Sequence, residues 1–331
     1  VRPIAPLALS MGDPAGIGPE IIAKAWARRD SDSLPCFFAV GDVRAVSAVW
    51  NGPVERIDDP RDAMRVFGRA LPVVAVVDGD PIVPGRPDIG GARCALQSLE
   101  LAAGLARSDA ASGLVTAPVS KAELYRIGFD YPGQTEFVAE RCGVARENAV
   151  MMLAGPTLRV VPITIHEPLA RVPMALTTDL IVSRGRATAR GLTRDFGIDA
   201  PRLALAGINP HAGEGGAIGR EEIEVMLPAV ELLRAEGIDI VGPLAADTMF
   251  HPRARARYDA ALCAYHDQAL IPIKTLHFDD GVNITLGLPI VRTSPDHGTA
   301  FDIAGQDSAE PGAMIAAIRM AGAAAARRAA A

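Results

Sequence analysis

Short apolar, β-branched runs alternate along this chain with longer segments of helical pattern. That alternation narrows the fold class more than any other feature. "PLALSM" (6–11), "CFFAVG" (36–41), "VVAVVD" (73–78), "GLVTAPV" (113–119), "LRVVPITI" (158–165), "RLALAGI" (202–208), "AALCAY" (260–265) and "LPIVRT" (288–293) are predicted strands. "PEIIAKAWARR" (19–29), "ARCALQSLELAAGLARSDA" (92–110), "EEIEVMLPAVELLRAEG" (221–237) and the Ala-rich tail (311–331) are predicted helices. Pro19 suits a first helical position and Gly237 a helix stop. Pro228 must kink or shorten the helix it interrupts. Strands buried on both faces read as unbroken apolar runs, and their alternation with helices specifies an α/β architecture with a largely parallel sheet.

The 331 residues suit about two domains. Nearly half are hydrophobic, enough for a sizeable core. No Ser- or Pro-rich linker divides the chain, so a discontinuous domain holding both termini is compatible with the sequence. The net charge of −6 argues against a nucleic-acid partner, which would call for a basic excess. Cys36, Cys94, Cys142 and Cys263 form no CxxC or other short metal-type spacing and point to a reducing compartment. The first residues lack a signal-peptide layout, and no apolar run reaches the ~18 residues of a membrane span. A cytoplasmic protein with no membrane partner is the expectation.

Three of the six histidines share one context. His166 follows "VVPITI", His211 follows "LALAGINP" and His266 follows "AALCAY", each at or just past the end of a predicted strand. In open α/β sheets that is the edge where ligands bind. Three converging imidazoles with an open position make a catalytic metal arrangement; ordinary polar residues at strand ends are the plainer reading. Asp267 beside His266, and Asp247 in "LAADTMF", stand where they can orient imidazoles or take a proton. His251, beside Pro252 and Arg253, reads as surface.

Lys274, Asn283 and Arg292 straddle the start of a segment dense in polar groups (277–305). Together they make a good anion clamp, with Arg as a fork and Lys as a point charge; separate surface residues are the alternative. Gln134 and Thr135 in "YPGQTEF" add neutral donors. The glycine-rich "MGDPAGIGPE" (11–20) is neither GxGxxG nor a GxxxxGK loop. It reads equally as an anion-binding helix start or as a tight turn.

Taken in order, "GDPAGIGPE", "VTAPVSK", "GQTEF", "GINPHAGEGG", "GPLAADTMF", "YHDQALIPIK" and "GVNITLGLPIVRTSPDHGTAFDIAG" resemble the 4-hydroxythreonine-4-phosphate dehydrogenase family over nearly the whole chain. "GIGPE" and "HGTAFDIAG" also resemble the wider isocitrate and isopropylmalate dehydrogenase group. The resemblance implies two α/β/α subdomains with a central cleft, expected at 1–128 plus 275–331 (cofactor side) and 129–274 (metal and dimer side). It implies metal ligation by His166, His211 and His266, with zinc, magnesium or cobalt as the divalent ion. Substrate binding falls on Gln134, Thr135, Lys274, Asn283 and Arg292, and proton transfer on Asp247, Asp267 or Lys274. NAD or NADP binding falls on His297, Gly298, Thr299, Ala300 and Asp302. A homodimer sharing its active sites between subunits is implied, acting on a phosphorylated small molecule in vitamin B6 biosynthesis. One departure stands out: the family usually has His in its "GHTE" motif, where Gln134 stands here. Gln donates hydrogen bonds but cannot become a cation. Relatives act on threonate-type phosphates or on a dihydrodiol dicarboxylate, so these substrates are alternatives, and a non-catalytic metabolite-binding protein is the reading from another class.

Overall fold

A computed structural model describes residues 4–76 and 82–331. Among them run twelve strands: β1 (Leu7–Ser10), β2 (Phe37–Gly41), β3 (Val54–Ile57), β4 (Leu71–Ala75), β5 (Leu114–Thr116), β6 (Val150–Ala154), β7 (Arg159–Pro162), β8 (Arg202–Ala206), β9 (Asp239–Leu244), β10 (Ala260–Cys263), β11 (Val282–Leu286) and β12 (Arg292–Pro295). The chain is α/β, as the alternation of strand and helix patterns specifies. Packing groups it into two units, Val1–Arg146 with Leu288–Ala331, and Glu147–Gly287.

In the first unit the strands lie in the order β3-β4-β2-β1-β5-β12, every neighbouring pair parallel. Leu7, Leu9, Phe37 and Phe38 are fully buried, as a sheet covered on both faces requires. The Ile89–Arg107 helix packs on β1 and β2, and the Gly312–Ala330 helix on β12 and β5. Asp88 caps the former, its side chain accepting from Gly91 N at 2.7 Å, which satisfies one orphan donor of the first turn. Pro19 sits in the first turn of the Gly18–Ala27 helix, where its missing N–H costs nothing. The predicted strand over 73–78 is found at Leu71–Ala75; Val77 and Asp78 lie outside the described residues. The strand predicted over 288–293 is found at Arg292–Pro295, with the Val291 carbonyl just before it accepting from Leu114 N at 2.9 Å.

In the second unit the order is β11-β6-β7-β10-β8-β9. β11 with β6 and β6 with β7 are antiparallel; β7, β10, β8 and β9 run parallel. Leu153, Val160, Ala204, Ala261, Cys263 and Ile273 meet in one buried cluster. The helix predicted over 221–237 is divided: a π-type turn over Glu222–Met226 precedes an α-helix over Leu227–Ala235, with Pro228 in the first turn of the latter. Gly237, at φ 82°, follows its end. The unit boundaries fall later than the expected 128/129 and 274/275 for local reasons. The Gln134–Arg141 helix packs on the Ile89–Arg107 helix, and β11 pairs with β6.

Two glycines separate helix propensity from steric need. Gly104 lies inside the Ile89–Arg107 helix, and a Cβ there would meet nothing within 4 Å. Gly12 has φ 71°, and its Cβ would stand 2.2 Å from the Pro118 carbonyl oxygen. In chemical unfolding, Gly104→Ala should therefore stabilise the protein by about 0.8–1 kcal/mol. Gly12→Ala should destabilise it by at least about 1–2 kcal/mol, the left-handed penalty before any clash.

Candidate active site

The parallel strands of the second unit deliver their carboxyl ends to one edge. His166 follows β7, His266 opens the His266–Leu276 helix directly after β10, His211 follows β8 and Asp247 lies in a turn after β9. The backbone there is unusual. His166 has φ 55°, and His211 through Gly216 all have positive φ, with His211 at 51°, Ala212 at 52° and Glu214 at 44°. Each non-glycine residue so placed costs roughly 1–2 kcal/mol, so the loop must be held from outside. Glu222 holds it. Its side chain is 2% exposed and accepts from Asn209 N at 2.7 Å and from Asn209 Nδ2 at 2.9 Å. A Cβ on Gly213 would stand 2.7 Å from Glu222 Oε2, and one on Gly219 would stand 2.2 Å from Asn209 Nδ2. These glycines let the loop close on its anchor. The anchor itself rides on the π-type turn, a feature often found at functional sites.

The His166 and His266 rings lie 5.8 Å apart, centroid to centroid, at 41°. His266 Nδ1 is 2.7 Å from Asp267 Oδ1. That bond places the ring proton on Nδ1 and leaves Nε2 as the free lone pair, the usual carboxylate–histidine device of metal sites. Among the described residues no three His, Cys, Asp or Glu side chains of this chain gather closely enough to hold a metal ion. The structure thus brings two of the three expected histidines together, with His211 outside the pair. His251 is exposed at the start of a short helix. His277 is buried, with Nε2 at Thr157 Oγ1 and Nδ1 at Asp280 Oδ1, and reads as a structural residue.

In the first unit Arg292 is 3% exposed. Its Nη1 donates to Thr135 Oγ1 at 3.1 Å and its Nη2 to Thr116 Oγ1 at 2.8 Å. Burial pulls the guanidinium down to about 10, against the charge of Glu136. Gln134 and Thr135 open the Gln134–Arg141 helix, whose first N–H groups suit an anion. Gln134 Nε2 donates to Ala117 O at 3.2 Å, while Gln134 Oε1 is buried with no hydrogen-bond partner. The side chain therefore keeps one N–H and its Oε1 for a bound group. Lys274 and Asn283 are half-buried members of the second unit, on the His266–Leu276 helix and on β11.

The residues expected to bind the cofactor form a turn seated on the glycine-rich loop. Ile17 N donates to Thr299 O at 3.0 Å, and a Cβ on Gly16 would stand 2.9 Å from that oxygen. Ala300 has φ 43°, His297 Nδ1 lies 3.1 Å from Gly298 O, and the Asp302 carbonyl accepts from Gln306 Nε2 at 2.6 Å. Asp13 in the same loop was not expected as a site residue. It is 1% exposed, and its Oδ1 accepts from Ala15 N at 3.0 Å. Burial first, then the charges of Glu123 and Asp88, raise it to about 6. "GDPAG" carries the signal: an Asp bonding its own backbone two residues on is an Asx-turn.

Fold and site together define an α/β enzyme with polar side chains gathered at the carboxyl ends of parallel strands. The model of the family described as pyridoxal phosphate biosynthetic protein PdxA matches residues 35–321, and the chain belongs to that family. A 4-hydroxythreonine-4-phosphate dehydrogenase of Zymomonas mobilis subsp. mobilis is 60% identical, covering 96% of this chain and 94% of its own. The protein so named from Erythrobacter litoralis is 56% identical over 99% of both. The crystal structure of a 4-hydroxythreonine-4-phosphate dehydrogenase from Klebsiella pneumoniae superposes with a TM-score of 0.87 at 36% identity, covering 97% of this chain and 98% of that one. The chain is accordingly an oxidoreductase.

Asp13 makes stability depend on pH. Its folded value of about 6 lies above the ordinary 3.8, so the contribution of its neutral form is full below pH 3.8 and lost as pH rises through about 6. Asp13→Asn keeps an acceptor for Ala15 N and removes the titration. In urea unfolding it should be more stable than the parent at pH 8 by about 1–3 kcal/mol, with the difference gone at pH 4. An equal difference at both pH values would show that Asp13 does not titrate this way.

Proposed function

We propose that the protein catalyses NAD- or NADP-dependent, divalent-metal-dependent oxidation of 4-phosphooxy-L-threonine (4-hydroxythreonine 4-phosphate). The C3 hydroxyl gives up its proton, and the C3–H bond gives its hydride to the nicotinamide. The resulting β-keto acid loses CO2 and takes up a proton, giving 3-amino-1-hydroxyacetone phosphate for pyridoxine 5'-phosphate biosynthesis. The observation that carries this reading is the 60% identity over 96% of the chain to a relative of that name.

The site chemistry fits it. His166 and His266 offer two imidazole nitrogens, a donor set that suits zinc or cobalt better than magnesium. When bound, the cation supplies Lewis acidity at the substrate hydroxyl, and the nicotinamide supplies the hydride acceptor. Asp267 orients His266 through the 2.7 Å bond, leaving Asp247 or Lys274 to take the hydroxyl proton. Arg292, Thr135, Lys274 and Asn283 supply donors for the phosphate and carboxylate. The turn over His297, Gly298, Thr299, Ala300 and Asp302 receives the cofactor.

A homodimer with shared active sites belongs to the same reading. Leu169, Met174, Ile271 and Phe278, all in the Glu147–Gly287 unit, are large apolar side chains left exposed. A second chain would cover such side chains and complete the ligand set begun by the His166–His266 pair. A cytoplasmic location accords with four free cysteines and with the absence, among the described residues, of any helix long and apolar enough to cross a membrane.

The test follows nicotinamide reduction over a panel of phosphorylated hydroxy acids with added metal. Turnover confined to threonate-type phosphates would move the reading to those substrates, and no turnover at all would favour a metabolite-binding protein. His266→Ala should abolish most turnover and release the cation, whereas His251→Ala should do neither. Gln134→His should lower the Michaelis constant for the phosphorylated substrate by about 5-fold, the equivalent of ~1 kcal/mol for one hydrogen bond strengthened by charge. The gain should be larger at pH 6 than at pH 8, because only the protonated ring brings charge. Michaelis constants unchanged across the panel would mean that position 134 does not touch substrate.

A further inference from the structure

The backbone N–H and carbonyl of Ala264 tie together the strand ends of the Glu147–Gly287 unit. Its carbonyl accepts from Thr164 N at 3.3 Å and from Thr164 Oγ1 at 2.7 Å. Its N–H donates to Gln268 Oε1 at 2.6 Å. Gln268 Nε2 donates onward to Gly207 O at 2.8 Å, and Gly207 N donates to Leu244 O at 2.8 Å. Thr164 stands just before His166, Ala264 just before His266, Gly207 leads into the His211 loop and Leu244 precedes Asp247. The loops that carry all four side chains are therefore joined by one chain of hydrogen bonds. Its one link made by a single side chain reaching in both directions is Gln268.

We infer that Gln268 is a positioning residue, which fixes the His211 loop against the His266 turn and, through Ala264, against the His166 loop. Both ends of its amide are used, and in one orientation only. Oε1 must face an N–H and Nε2 must face a carbonyl, so a flipped amide would set like against like at both ends. No other side chain of similar length does both. Glu keeps the acceptor for Ala264 N but turns a carboxylate oxygen toward the Gly207 carbonyl. Met keeps the shape and makes neither bond. Left-handed residues such as His211 and Ala212 return to easier backbone conformations once a restraint goes. Loss of the bridge should therefore show first in that loop.

The geometric part of this inference stands alone, and its consequence for the cation rests on the metal reading above. The experiment compares the full-length parent with Gln268→Met and Gln268→Glu. Amide hydrogen exchange is measured on metal-free protein, and cobalt(II) alone is titrated into it. Both variants should exchange at least about tenfold faster over residues 207–216, with β6, β11 and the Thr178–Phe196 helix unchanged. Their cobalt affinity should fall by about 10–100-fold, the usual effect of losing support behind a metal ligand. In the presence of limiting cobalt, kcat should fall along with the cobalt affinity in both variants. Unchanged exchange over 207–216, or acceleration spread evenly through the unit, would overturn the inference. Confined acceleration with parental cobalt affinity would overturn its consequence for the cation. A parent protein that takes up no cobalt would instead overturn the metal reading, and the exchange pattern alone would then decide the role of Gln268.

Discussion

The arrangement at the edge of the Glu147–Gly287 sheet depends on the Ala264 backbone N–H and carbonyl and the side chains that meet them. Parallel strands β7, β10, β8 and β9 bring their carboxyl ends to one side, but strand ends alone leave loops free to wander. Thr164, Ala264, Gln268 and Gly207 remove that freedom with bonds of 2.6–3.3 Å. His166 and His266 come within 5.8 Å of each other on loops tied at this point. The left-handed run from His211 to Gly216 is the cost of the design, and the buried Glu222 carboxylate offsets it by accepting both the backbone and the side-chain N–H of Asn209.

The other unit solves a different problem, a cation taken out of water. Arg292 is almost fully buried, which weakens its hold on its proton, yet at about 10 it keeps its charge at neutral pH. Thr116 and Thr135 meet its guanidinium with hydroxyl oxygens. The nearby charge of Glu136 favours the charged form of the guanidinium against the cost of burial. Gln134 beside it turns one amide N–H to the Ala117 carbonyl.

Much of this was legible in the sequence. Strands buried on both faces announce themselves as apolar runs, so β1, β2, β8 and β10 lie where "LALS", "FFAVG", "RLALA" and "AALC" place them. β3, β9 and β11 were not legible, for a physical reason. "VERI" and "DIVGPL" pair at the two outer ends of the strand orders and are only partly buried, while "VNITL" carries polar residues on one face. "VMMLA" of β6 is buried, but methionine and leucine suit a helix as well as a strand. The shared context of His166, His211 and His266 was readable from strand ends, and the pairing of only two of them on one chain was not. Gln268, Glu222 and Asp13 escaped because their importance lies in partners distant in sequence or in burial, which no local spacing encodes.

The central claim is that the strand-end histidines hold a catalytic divalent cation. It is tested most directly by diffraction from crystals grown with cobalt(II), with data collected on either side of the cobalt absorption edge. The account predicts one strong anomalous peak per chain, within about 2.0–2.2 Å of His266 Nε2 and of a ring nitrogen of His166, the ordinary length of a metal–imidazole bond. A peak at some other place on the chain, or none near those two rings, would contradict it.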